Sequence, residues 1–239
     1  MQTGDDRMDG TLRALAGSER APPPPLSPEL EAALGAMRPV RTRTPARDLA
    51  LAAGASMVCA ALVLAIGTPR RDLSELPLPW LIWFGACWLG AFGAIYTITV
   101  RPRSGEIMPR SGAALVTATA AATALIALAA TTAQHAPSSR MPPLELDTFF
   151  RHALPCWFIA IVTAIGPVVL GIRALRGAVP VGAPAVAFAL GAAGGALGGL
   201  VLHLHCPIAH WGHVSLTHGV GTLMCGAITA TIAPRWLRP

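Results

Sequence analysis

Residues 181–202 read VGAPAVAFALGAAGGALGGLVL, a run of 22 residues with no charged side chain and with glycines at 191, 194, 195, 198 and 199. As a helix it spans about 30 Å, the thickness of the hydrocarbon core of a bilayer. Its Ala, Leu and Gly content argues for helix, because a strand of a membrane barrel would alternate apolar and polar residues. Working outward, comparable runs occur at 49–67, 80–100, 112–133 and 153–172 before it and at 214–233 after it. The run at 112–133 is the least hydrophobic, since its many Thr and Ala contribute little to insertion. The 239-residue chain is 53% hydrophobic and 13% charged, against about a quarter charged in soluble domains. The expected fold is therefore all-α: a polytopic membrane bundle of about six transmembrane helices over 48–239, behind a short cytoplasmic helical segment over 1–47.

The charges set a direction. All 18 basic residues are Arg, which with the Ala, Pro and Gly bias suggests a GC-rich bacterial genome. Among the arginines near span ends, with the N-terminus inside, eleven fall on the inner side: Arg38, Arg41, Arg43, Arg47, Arg101, Arg103, Arg110, Arg173, Arg176, Arg235 and Arg238. Four fall outside: Arg70, Arg71, Arg140 and Arg151. The positive-inside bias then places both termini in the cytoplasm of a multi-pass inner-membrane protein. Trp80, Trp83, Trp211 and Trp236 stand near span ends, where indoles favour the interface. The net charge of +6 raises nucleic acid as a partner, but arginines beside spans are explained by topology, so no direct nucleic-acid binding is expected. No cleaved signal peptide is expected either, because the first apolar run begins near Leu49.

Gly191, Gly195 and Gly199 recur every four residues on one face of the fifth run, with Gly194 and Gly198 as a second row beside it. Small residues at this spacing let helix backbones approach closely. Packing inside the bundle and homodimerisation are both open readings.

Residues 1–47 read as two short amphipathic helices on a tether. Met8, Leu12 and Leu15 share a face of the first, from about Asp5 to Ala16. Four prolines at 22–25 form a stiff spacer. Ser27-Pro28-Glu29 is a helix start, with Ser at the cap, Pro at the first helical position and an acid in the first turn. Leu30, Leu34 and Met37 line one side of that second helix before Arg38-Pro39 stops it. Such segments are too short to fold alone. Either this is a tail with transient helix, or the apolar stripe folds into a groove on a partner.

Five of the seven histidines lie within sixteen residues, at His203, His205, His210, His213 and His218, with Cys206 among them. They fall in the last outer loop and the adjoining span ends. Imidazole and thiolate are ligands for zinc, copper or haem iron. His210 and His213 are three apart and His213 and His218 five apart, so neither is a strict helical pair, and no H-E-x-x-H or C-x-x-C occurs. Three readings stay open: an interfacial loop bonded to backbone and headgroups, a metal or haem site at Cys206, His205, His210, His213 and His218, or a pH sensor. Cys59, Cys87 and Cys225 fall inside spans as packing residues. Cys156 lies near the outer end of the fourth span, so a disulfide with Cys206, or a redox-reactive Cys206, is geometrically accessible.

An enzyme is not expected: no paired carboxylates occur in the spans, and no nucleophile elbow, P-loop or dinucleotide motif is present. A transporter would carry buried charges or broken helices, and Gly166-Pro167 is the one candidate break. No cofactor is firmly implied. The rival from another class is a metal- or haem-binding membrane protein using the cluster at 203–218.

Two stretches together resemble a known family. Ser27-Pro28-Glu29-Leu30-Glu31-Ala32-Ala33-Leu34, followed by Met37-Arg38-Pro39-Val40-Arg41, resembles the entry segment of the NrsF-like family of six-span bacterial inner-membrane anti-sigma factors. Leu204-His205-Cys206-Pro207, then His213, His218-Gly219 and the closing Arg235-Trp236-Leu237-Arg238 resemble that family's ending. The resemblance covers 27–239 and leaves the first helix and the tetraproline outside. It implies that the cytoplasmic segment binds an extracytoplasmic-function sigma factor and holds it at the membrane until a signal reaches the membrane domain or its outer face. On this chain the sigma-contacting residues would be Leu30, Leu34, Met37 and Arg38. Met8, Leu12 and Leu15 are offered as a second contact by their stripe and not by the resemblance.

Overall fold

The structure is a computed structural model, and it describes residues 27–36, 44–100, 112–132, 146–175, 182–208 and 210–237. All regular elements among these residues are helical. The chain divides into two units, 1–42 and 43–239.

In the first unit, helix α1 runs Pro28–Ala36 with Glu29 and Glu31 in its first turn. The Glu31 N–H donates to the Ser27 carbonyl at 3.0 Å. Proline at the start costs nothing, because the N–H it lacks would have no intrahelical acceptor. Leu30 and Leu34 lie on this helix. Met37 and Arg38, the first expected helix with Met8, Leu12 and Leu15, and the tetraproline lie outside the described residues.

The second unit holds α2 (Pro45–Ile66), α3 (Leu78–Val100), α4 (Gly112–Thr132), α5 (Leu146–Leu175) and α6 (Ala183–His205). Then come a short α7 (Trp211–His213), a π-helical turn (Val214–Gly219), α8 (Val220–Ile232) and α9 (Pro234–Leu237). Four stretches are long and apolar enough to cross a membrane: Ala46–Ile66, Leu78–Val100, Phe149–Leu175 and Ala183–His205. The outward faces fit that reading, with Leu51, Val58, Leu62, Ile82, Phe158 and Ile165 all exposed, a surface that lipid covers favourably. In α4 the apolar stretch is shorter, Thr117–Thr132. The last run is helical from 211 to 232, but the π turn interrupts its regular winding. α5 begins at Leu146, earlier than the 153 expected from hydropathy, and carries Pro155 and Pro167 inside it.

The buried threonines explain how such spans tolerate hydroxyls. Thr99, Thr163, Thr222 and Thr229 each donate to the carbonyl four residues back, at 2.6–3.0 Å. No hydroxyl of this set is left to be satisfied by water that a bilayer lacks.

α6 is the axis of the bundle. It packs against α2, α3, α4, α5 and α8, and 83% of its apolar window is buried against 17% for α2. The glycines make this crowding feasible. A Cβ on Gly194 would sit 2.9 Å from the Ala164 Cα of α5, and one on Gly198 2.8 Å from the Ala160 Cα. On the other side, a Cβ on Gly195 would sit 2.6 Å from the Thr222 Cα of α8, and Gly191 faces Cys225 and Thr229. Gly199 accepts the Trp88 ring of α3 against its backbone. Both rows are therefore occupied within the chain, and neither is left on the surface for a second copy.

This packing yields a stability test. Gly195→Leu forces α8 away from α6 and should cost about 3 kcal/mol or more. The apparent melting temperature in detergent should fall by about 6–12 °C. Gly54→Ala, with nothing within 4 Å of the new methyl, should leave it unchanged or slightly raised. Equal melting temperatures for the Gly195→Leu variant and the parent would contradict the close approach.

Candidate functional site

Four donors converge at the end of the bundle where α6 stops. Cys156 stands at the end of the third turn of α5, and Cys206 is the first residue beyond α6. His213 ends α7 and His218 sits in the π turn. The Cys206 Sγ is 3.4 Å from His213 Nε2 and 4.0 Å from the Cys156 Sγ. Cys156 Sγ is 3.8 Å from the same His213 nitrogen. One ligand atom from each of Cys156, Cys206, His213 and His218 lies within 4.8 Å of all the others, and all four residues are buried. Both cysteines are free thiols.

The π turn is what brings the two histidines together. In a regular α-helix, residues five apart point about 140° from one another. Winding one residue wider brings positions i and i+5 onto one face, and the His213 and His218 rings meet edge to face at 5.5 Å. The Thr217 hydroxyl donates to the His213 carbonyl, and the Thr222 hydroxyl donates to the His218 carbonyl at 3.0 Å. These bonds engage carbonyls in the stretch where the regular ladder is broken. The spacing of five, which reads as unpaired along a regular helix, is thus a pair here.

His218 is 1% exposed, and apart from the Cys206 thiol beside it neither of its ring nitrogens has a hydrogen-bond partner. A buried imidazole nitrogen left unsatisfied costs about 1–3 kcal/mol, so the arrangement is not one that stability alone would select. Two thiols and two imidazoles at this separation match the donor set that borderline and soft cations take in tetrahedral geometry. Cys206 lies outside the span. The Cys156 thiol beside it holds it below the ordinary thiol range, with His213 and His218 adding to that, against burial, which pushes it up.

The other histidines are placed elsewhere. His203 is buried, stacked on the Phe84 ring at 3.4 Å between centroids and tilted against Trp80 at 4.6 Å. His210 is buried beside Trp211. His205 packs on Gly67, where a Cβ would meet its ring at 3.2 Å. His205 and His210 therefore stand outside the four-donor cluster, and Cys156 joins it. His203, His210, His213 and His218 are all buried. The sequence places Cys156 near the same outer end as Cys206 but does not mark it as a donor beside His213 and His218; the α5–α6 crossing at the glycines brings it there.

A strap closes over the cluster. The Arg70 N–H, just past the end of α2, donates to the Leu204 carbonyl at 3.1 Å. The Arg70 side chain, 1% exposed, forms a bidentate pair with Asp72 at 2.6 and 2.7 Å. It also donates to the Pro207 carbonyl at 3.4 Å. Cys206 is thus bracketed by two residues, Leu204 and Pro207, that the end of α2 grips directly.

No curated protein and no solved structure matches the chain. The family described as Negative regulator of sigma F matches residues 35–238, which takes in every helix of the second unit and all four donors. With that share of its length matched, this chain belongs to the Negative regulator of sigma F family.

Proposed function

We propose that the chain is a six-span inner-membrane anti-sigma factor that holds an extracytoplasmic-function sigma factor on its N-terminal segment and releases it on a signal at the Cys/His cluster. The observation that carries the reading is the family match over 35–238. Met37 and Arg38 fall inside that match, and α1 with Leu30 and Leu34 stands at its threshold. The arginine asymmetry supports cytoplasmic termini, with α4 and the helical run 211–232 completing six spans. On this reading Leu30, Leu34, Met37 and Arg38 dock the sigma factor, with Met8, Leu12 and Leu15 as a second contact, and the cluster faces the periplasm.

The donor set favours a thiophilic d10 cation as the signal. It would be held by Cys156, Cys206, His213 and His218, so metal binding becomes part of the anti-sigma reading and not a rival to it. α2 is the connection. One end of it follows the sigma-binding segment in the chain, and the other is tied by Arg70 to both sides of Cys206. α2 is also the least buried of the four long apolar helices, so its position depends heavily on its end contacts. Ligation that shifts the 206–207 backbone would loosen that grip and re-seat α2.

Three outcomes are expected. Changing Leu30 and Leu34 together to Asp should weaken co-purification of the sigma factor by about tenfold or more, since each buried leucine contributes roughly 1.5–3 kcal/mol. Undiminished capture would end the docking model. Purified protein dialysed against Cd(II) should retain one ion per chain by elemental analysis. Cys156→Ser, Cys206→Ser and His218→Ala should each lower that ratio, and a parent protein without retained cadmium would refute the site. Arg70→Ala, which weakens the grip without any cation, should keep the cadmium yet hold the sigma factor poorly even before the cation is added. Undiminished holding by that variant would show that the strap does not transmit the signal.

A further inference from the structure

α5 and α8 leave an open groove of about 350 Å³ between their outward faces. Its walls are aliphatic, with Ile161, Ile165 and Ile172 from α5 and Ile228 and Ile232 from α8. Its polar floor is already satisfied, because the Thr229 hydroxyl donates to the Cys225 carbonyl at 2.7 Å. From Ile161 to Ile172 the groove runs about 17 Å along the helix, close to half of the roughly 30 Å hydrocarbon core. It is the depth of one leaflet.

One end of the groove is cationic. Arg173, in the last turn of α5, and Trp236 of α9 line it there. The Arg235 guanidinium lies over the Trp236 ring, 4.5 Å from its centroid. That stacking holds a planar cation at the mouth of the groove. Arginine at a helix end commonly reaches the headgroup layer without selecting any lipid. Here two arginines and an indole cap a shaped apolar channel of one-leaflet depth, which couples a head site to a tail site.

The geometry points to a bound anionic phospholipid, with one acyl chain laid in the α5–α8 groove and its phosphate on Arg173 and Arg235. Two guanidinium groups present paired N–H donors to phosphate oxygens. The zwitterionic lipid of the same chains adds a positive group that the pair repels. This site is separate from the Cys/His cluster and does not depend on the anti-sigma reading.

The test uses the full chain in detergent micelles, read by native mass spectrometry and by melting temperature. Dioleoyl phosphatidylglycerol should be retained one per chain, about tenfold more tightly than dioleoyl phosphatidylcholine. Inorganic phosphate alone should produce no shift, because it has no tail to fill the groove. Arg173→Gln with Arg235→Gln should level the two lipids while leaving some binding of each. Ile165→Trp, which fills the groove from an exposed position, should weaken both lipids and spare the preference between them. Equal retention of the two lipids by the parent protein, or a preference that survives the double arginine change, would overturn the head site. Unchanged binding in the Ile165→Trp variant, or a shift with phosphate alone, would overturn the groove.

Discussion

Where α5 and α8 cross α6, the central helix has no side chain. In lipid there is no hydrophobic gain from bringing two helices together, since the tails are as apolar as leucine, so association rests on dispersion contact and polar pairing. Gly191, Gly194, Gly195 and Gly198 let backbone meet backbone on two sides of α6 at once. Gly199 does the same for the Trp88 ring of α3, which is fully buried. Everything else in the second unit is arranged around a helix thin enough to be surrounded.

That thinness also builds the cluster. Because α5 lies against α6 through Gly194 and Gly198, Cys156 arrives within contact of the residue that follows α6. Because α8 lies against the opposite row, the π turn that leads into it presents His213 and His218 to the same point. Trp88 approaches from behind, 6.4 Å from the His218 ring. A buried imidazole with an unsatisfied nitrogen and an interrupted helix ladder are both unfavourable in isolation. They persist because the packed bundle around them is over-determined, a pattern expected where a site is kept for function.

The strap adds a direction to this geometry. Arg70 contacts backbone on both sides of Cys206, and its guanidinium is held in a plane by Asp72. A rigid fork of this kind transmits a displacement that a flexible lysine would absorb. α2, largely exposed along its length, then links a polar centre at one end of the bundle with the segment that precedes it in the chain.

Much of this was legible in the primary sequence. Long uncharged runs can only be satisfied as helices in lipid, so helical spans follow from composition; six runs are expected, and four of the described helices are long and apolar enough to cross a membrane. The start of α1 follows from Ser27-Pro28-Glu29, whose chemistry is local. The glycine rows signal close approach, but not to which helix, because spacing along one helix says nothing about its neighbours. α4, the least hydrophobic run by sequence, carries the shorter apolar stretch Thr117–Thr132, while α5 extends beyond the expected 153–172, because a helix can run past its apolar stretch when tertiary contacts support it. The site itself was decided only by tertiary structure. His213 and His218 pair through a π turn that no residue pattern announces, while His205 turns to Gly67 and leaves the cluster. Cys156, fifty residues from Cys206, enters because two helices cross at glycines. Local chemistry is written along the chain; convergence across it depends on which backbones can touch.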